Sequence, residues 1–241
     1  MSYEPAGTVV VPPDKAVFTV DYEEKRSRLT TFFRLITVIP HLIWLMLYGF
    51  VASFAVLFAW FAIVFTAKFP AGLYSFVEGY LRYYARVTAY AFLATDKFPP
   101  FTGSRDEPYA ANLDIGPALE KYSRAKTFFR AILIIPFYIV AYVFTIIYQL
   151  VAVICWFAIV IMGKQPKGLQ DALLFGLSYP VRLMTYYCLL TEAWPTEFTD
   201  DAVQDDLSSL GAAPAAAAAA PSMPEPPTPP APPTPPTPPA Q

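Results

Sequence analysis

The chain has 241 residues and a formal net charge of -2; hydrophobic residues make up 56% of it, aromatics 17% and charged residues only 15%. A soluble domain so poor in charge would expose large apolar patches, so these figures exclude an ordinary soluble protein and predict an integral membrane protein. No basic cluster offers a nucleic-acid surface, and Cys155 and Cys188, both in apolar sequence, give neither a disulfide framework nor a metal site.

Residues 1–20 form an N-terminal segment with acidic residues and prolines where a secretory signal would have a basic start and an apolar core, so none is expected. Alternation of Val17, Thr19 and Asp21 with Phe18, Val20 and Tyr22 predicts a short strand. Residues 21–101 then carry a basic lead-in, an apolar stretch from Leu35 to Thr66, and the turn signal Lys68-x-Pro70-x-Gly72-Leu73, in which Lys68 reaches the headgroups. The stretch is 32 residues long, about 48 Å as a straight helix against a hydrocarbon core of roughly 30 Å. Pro40 near its start marks where the spanning part begins, with the preceding turn at the interface. The next segment is again long enough to span but places Glu78, Arg82 and Arg86 four residues apart, one polar stripe on a helix. Residues 102–117 read as a polar, exposed linker.

The same plan returns in residues 118–200. At an offset of 96, residues 24–99 align with 120–195 without a gap, and 28 of the 76 positions are identical. "WFAIVFTAKFPAGL" from Trp60 becomes "WFAIVIMGKQPKGL" from Trp156, "TFFR" stands at 31 and 127, Pro40 matches Pro136, Lys68 matches Lys164, and Arg86 matches Arg182. Residues 201–241 are an Ala- and Pro-rich tail, expected to be extended or disordered and most simply a solvated spacer.

Two similar copies with basic entrances enter a membrane from the same side, so each crosses an even number of times. A long apolar helix out and a Tyr/Arg helix back gives four crossings with both termini cytoplasmic. Of the 17 Lys and Arg residues, 11 then face the cytoplasm, three sit in outer turns and three in the returning helices, in keeping with the positive-inside rule. A rival layout folds each apolar stretch into a hairpin within one leaflet and lays the amphipathic segment on the cytoplasmic surface. The missing turn former in "VFTIIYQ" counts against it. One crossing per copy, with inverted halves, ranks last.

Charges within the apolar segments are the sharpest chemical candidates, because each costs at least roughly 2.5–3.5 kcal/mol at mid-bilayer unless paired, hydrated or able to snorkel. Arg82, Arg86, Arg182 and Glu78 therefore form a candidate set for lipid or anion binding or for intramembrane pairing, and capture of helix carbonyls or of Glu78 is the favoured reading. Lys68 and Lys164 mark interfacial turns. His41, the only histidine, has no companion ligand and is expected to bond a neighbouring helix. Asp96 and Glu192 stand at polar helix ends, where capping suits them better than catalysis. No nucleophile, phosphate-loop, zinc or dinucleotide motif is present, so no enzyme, metal or cofactor is expected.

The basic lead-in with Pro40, the "WFAIVFTAKFPAGL" phrase, Arg86 and "YAFLATDKFPPF" together resemble the bacterial membrane family known as domain of unknown function 4389, in a tandem, actinobacterial form over about residues 15–200. The second copy departs from the pattern at Gln165 and Trp194, where the first has Phe69 and Phe98. The resemblance implies an inner-membrane protein without an assigned activity. The expected fold is therefore an all-α integral membrane protein of two tandem repeats, each a long transmembrane helix and a returning or amphipathic helix. The expected function is a non-catalytic scaffold or accessory subunit of an envelope complex, with the lipid bilayer and other membrane or envelope proteins as partners. The alternative is a small transporter or channel subunit with an arginine-lined path or an anionic-lipid site.

Overall fold

The computed structural model describes residues 11–196; the tail assigned to 201–241, with its extended character, lies outside them. The order is β1 (Ala16–Val20), α1 (Arg28–Thr37), α2 (Ile39–Thr66), α3 (Ala71–Ala91), β2 (Ala111–Ile115), α4 (Arg124–Phe128), α5 (Arg130–Leu133), α6 (Ile135–Met162) and α7 (Lys167–Tyr187).

Local chemistry sets the boundaries. Ser27 and Ser123 cap α1 and α4, each hydroxyl accepting from the amide three residues on. Pro40 and Pro136 fall in the first turns of α2 and α6, where a missing N–H costs nothing. Both long helices end on a left-handed residue, Gly163 at φ 69° and Ala67 at φ 57°. The glycine adopts this conformation freely, whereas Ala67 bears a penalty of about 1 kcal/mol for the same geometry. Pro70 and Pro166 then start α3 and α7.

Among the described residues, α2 and α6 are the two helices long and apolar enough to cross a membrane; only 17% and 22% of their most apolar windows are buried within the protein. Each apolar stretch is one unbroken helix from just before its proline, so the rival hairpin-within-a-leaflet layout fails: the second stretch offers the backbone no turn former, and Gly49 in the first is taken into the helix. A narrow stripe of α2, Ala52, Ala55, Ala59 and Ile63, faces inward, and the remaining surface carries exposed Phe, Leu, Ile and Val.

Helices α3 and α7 are buried on nearly every face. Val77, Leu81, Ala85 and Ala89 of α3 and Leu173, Leu177 and Val181 of α7 share one core with the inner stripes of α2 and α6. Their other side is covered by a ribbon in which β1 pairs antiparallel with β2, Phe18 opposite Leu113 and Ala16 opposite Ile115. Strand β2 packs on α3 and β1 on α7. The protein is thus three-layered: ribbon and linker, then α3 and α7, then the apolar α2 and α6.

Two expectations need correction. The fold is mostly helical, not all-α, because the strand read at 17–22 finds a partner. That partner lies in the 102–117 segment, which is no exposed loop: Ala111, Leu113 and Ile115 alternate inward and are buried against α3.

The copies interlock reciprocally. The Arg26 amide donates to the Gly163 carbonyl at 3.1 Å, and 96 residues later the Tyr122 amide donates to the Ala67 carbonyl at 2.9 Å. Likewise Phe32 packs on Trp156 and Phe128 on Trp60, ring centroids 6.4 and 5.8 Å apart. Each lead-in docks on the end of the other copy's long helix, the exchange of equal contacts that a two-fold dimer makes between subunits.

Candidate functional site

The charged residues singled out on α3 come together on its ribbon-facing side, and the 102–117 segment supplies most of their partners. Arg86 is fully buried; its guanidinium donates to the carbonyls of Thr102 (3.1 Å), Ser104 (3.0 Å) and Glu107 (2.9 Å) and to the side chain of Asn112 (3.2 Å). One turn earlier, Arg82 donates to the Gly103 carbonyl and to Glu78, both at 2.8 Å. Arg105 reaches back from the linker onto the same Glu78 oxygen with its Nε at 3.0 Å and its Nη2, and onto the Ile115 carbonyl. Glu78 thus sits between two guanidinium groups. The backbone is drawn in so tightly that a Cβ on Gly103 would stand 1.8 Å from the Gly79 carbonyl oxygen.

Asp114 of β2 lies near this cluster. Burial raises its pKa above the ordinary 3.8, and the nearby Arg82 and Arg105 only partly oppose that.

Arg182, the counterpart of Arg86, is not brought to this cluster. It is buried on α7 beside a small cleft lined by Asp14, Tyr179, Tyr186, Thr191 and Trp194. The shared place in the two copies therefore gives the two arginines different surroundings.

Sequence reasoning passed over a second arginine pair. Arg34 donates to the carbonyls of Tyr90 (2.7 Å) and Thr95 (2.8 Å) and pairs with Asp96; Arg130 donates to those of Tyr186 (2.6 Å) and Thr191 (2.7 Å). Each guanidinium lies over a tyrosine, 4.5 Å from the Tyr90 ring and 4.0 Å from Tyr186. Leu93 and Leu189, both at φ 68°, fold the chain end back so that these carbonyls converge. The signal was present in "TFFR", which is repeated without change. Asp96 and Glu192 accept from the amides of Ser27 and Ser123, each at 2.7 Å, so they anchor the starts of α1 and α4.

His41 is fully buried, its Nδ1 2.8 Å from the Tyr83 hydroxyl and its ring stacked at 4.2 Å on Phe101. Lys164 pairs with Glu24 at 3.4 Å in the turn after α6, while Lys68 in the equivalent turn is exposed. Cys155 and Cys188 are free and buried. Among the described residues no group of three or more His, Cys, Asp or Glu side chains could hold a metal ion. Where copy one has the aromatic set Phe69, Tyr74 and Tyr122, the interlock gives copy two a polar set: Gln165, Gln170 and Arg26. Arg26 donates to the Ala94 carbonyl at 2.9 Å and to Gln170 at 3.3 Å, and burial lowers its pKa.

The repeated frame, with its paired Arg34 and Arg130 anchors, coincides with a known family. The profile described as "Domain of unknown function (DUF4389)" matches residues 28–103 and again 124–199. The chain belongs to this family. Its two DUF4389 units stand at the same 96-residue offset as the repeat and together cover more than half of the chain, so it is a tandem member. No curated protein and no solved structure matches the chain.

Chemically, the DUF4389 frame offers buried guanidinium groups tied to backbone carbonyls, and one partly open place in the first unit, where Arg105 stays 58% exposed beside Glu78.

Proposed function

We propose that this protein is a non-catalytic scaffold or accessory subunit of an envelope complex at the inner (plasma) membrane, acting through the bilayer and other membrane or envelope proteins. The observation that carries this reading is the fate of Arg86, whose two terminal nitrogens donate to three linker carbonyls and Asn112. An arginine so occupied fixes a segment of backbone and is not available to a passing solute. The transport alternative needs Arg82, Arg86 and Arg182 along one wet path, and the placing of Arg182 apart from the Arg82–Arg86 cluster weighs against it.

The layering also favours a particular seat in the membrane. Helices α2 and α3 run antiparallel, with His41 beside Tyr83 and Tyr48 beside Tyr80. The 102–117 segment, with Arg105, Asp106 and Glu107, lies along the far side of α3. Were both helices to cross, that charged segment would be carried to mid-bilayer depth, at several kcal/mol for its polar backbone and charges. Each long helix also meets a basic lead-in at both ends, its own at the start and the other copy's at the finish. These features support α2 and α6 lying in the plane of one leaflet, with α1, α4 and α5 presenting Leu29, Phe32, Leu35, Phe128 and Ile132 to lipid. The ribbon, the linker and both termini are then cytoplasmic.

The test of function substitutes Arg86→Ala in the full chain and measures both its membrane level and its co-purification with envelope proteins. Loss of level or assembly supports the scaffold. Normal level and assembly with lost ion or lipid flux overturns it in favour of transport.

A further inference from the structure

A groove of about 470 Å³ opens between α2, α3 and the linker, lined by Trp44, Leu47, Val51, Phe76 and Phe101 together with Tyr48, Thr102 and Gly103. The last three also line an adjoining polar pocket of about 330 Å³ that holds Ser75, Glu78, Arg82, Ser104 and Arg105. Both volumes fall in the range of small-molecule sites, about 300–1,000 Å³. The two spaces therefore meet at the Gly79–Gly103 close approach, where the Tyr48 hydroxyl would stand 3.0 Å from a Cβ on Gly79.

We propose that this paired space binds one anionic glycerophospholipid, with an acyl chain in the aromatic groove and the phosphate on the exposed Arg105. The polar pocket is lined by two guanidinium groups and one carboxylate, with Asp114 nearby, and Arg105 is open enough to reach an anionic ligand. The hydroxyls of Ser75 and Ser104 can serve the headgroup. The groove favours a lipid over free phosphate, since an inorganic anion leaves its apolar walls unfilled, and it borders the apolar, exposed surface of α2.

The second repeat supplies an internal comparison. Glu78, Gly79 and Arg82 are replaced there by Leu174, Phe175 and Ser178, and the Phe175 ring fills the equivalent place against Phe144, centroids 5.3 Å apart. Among the described residues the site is consequently confined to the first repeat, and one lipid per chain is expected.

Native mass spectrometry of the full chain, delipidated in detergent and titrated with phosphatidylglycerol, phosphatidylcholine or glycerol 3-phosphate, tests this. The expected result is one retained phosphatidylglycerol per chain, at least tenfold tighter than phosphatidylcholine, with glycerol 3-phosphate unable to displace it. Arg105→Gln should reduce retention about tenfold. Because Arg105 also holds Glu78, Val51→Trp provides a variant that blocks the groove and spares the ion pairs; it should reduce retention similarly, while Ile147→Trp at the equivalent place in the second repeat leaves it unchanged. Equal retention of the two lipids, displacement by glycerol 3-phosphate, or full retention by folded Val51→Trp protein would overturn the proposal. None of these results bears on co-purification of partners, so the scaffold reading stands or falls separately.

Discussion

The strongest local determinants are buried arginines whose partners are mainly carbonyl oxygens. Arg86 closes the linker onto α3, and Arg34 and Arg130 close each helix end onto its lead-in. Replacing Arg86 by Met keeps the bulk but leaves several buried acceptors unmatched, each worth about 1–3 kcal/mol. A loss of roughly 3 kcal/mol is expected, read as a melting midpoint lowered by about 6–12 °C in detergent. Asp114 is the opposite case. Its folded pKa is raised, so the folded state binds its proton more tightly than the unfolded one and stability falls as pH rises from the ordinary value of 3.8 through the folded value. Asp114→Asn should flatten that part of the stability-versus-pH curve in a pH series of thermal melts, without destabilising the protein near neutrality.

Elements explain what could and could not be read in advance. The long helices, their starts at Pro40 and Pro136, and the Lys-x-Pro-x-Gly-Leu turns were legible because propensity, capping chemistry and apolar length act within a few residues. The strand at 16–20 was legible for the same reason, but its partner was not: pairing with 111–115 is a contact across about ninety residues that no local pattern announces. The role of the α3 arginines was half legible. Cost alone implied capture, whereas the captors are mostly backbone carbonyls, which every residue possesses and no side-chain motif records. Gly103 is the sequence trace of that capture. Gly103→Ala forces its Cβ into the Gly79 carbonyl, so the linker should lift from α3 and tryptic cleavage after Arg105 should quicken at least tenfold. Gly168→Ala, with nothing within 4 Å, serves as the tolerated control.

At the scale of the molecule, the duplication is a two-fold dimer written as one chain, since each lead-in completes the other unit. Residues 1–110 and 111–241 would each leave one strand of the ribbon and one docked lead-in unpaired. Co-expressed as separate chains, the two should co-purify, while either alone should fail to accumulate in the membrane. An independent half that is stable by itself would argue against the interlock as the source of stability. The same reciprocity gives both long helices a basic segment at each end and leaves one broad apolar layer facing away from the ribbon, the feature on which the proposed one-leaflet seating rests.

The most direct measurement is thiol labelling of intact cells with a membrane-impermeant maleimide, in a Cys155→Ala, Cys188→Ala background carrying Gly72→Cys or Gly168→Cys in the turns after α2 and α6. Both glycines have open space at the Cβ position, so the new thiols do not disturb the fold. Protection in intact cells with labelling after permeabilisation is the predicted result, since the proposed one-leaflet seating puts the turns on the cytoplasmic side with the ribbon. Labelling of both turns from outside would contradict it and establish that α2 and α6 cross, with α3 and α7 returning through the membrane.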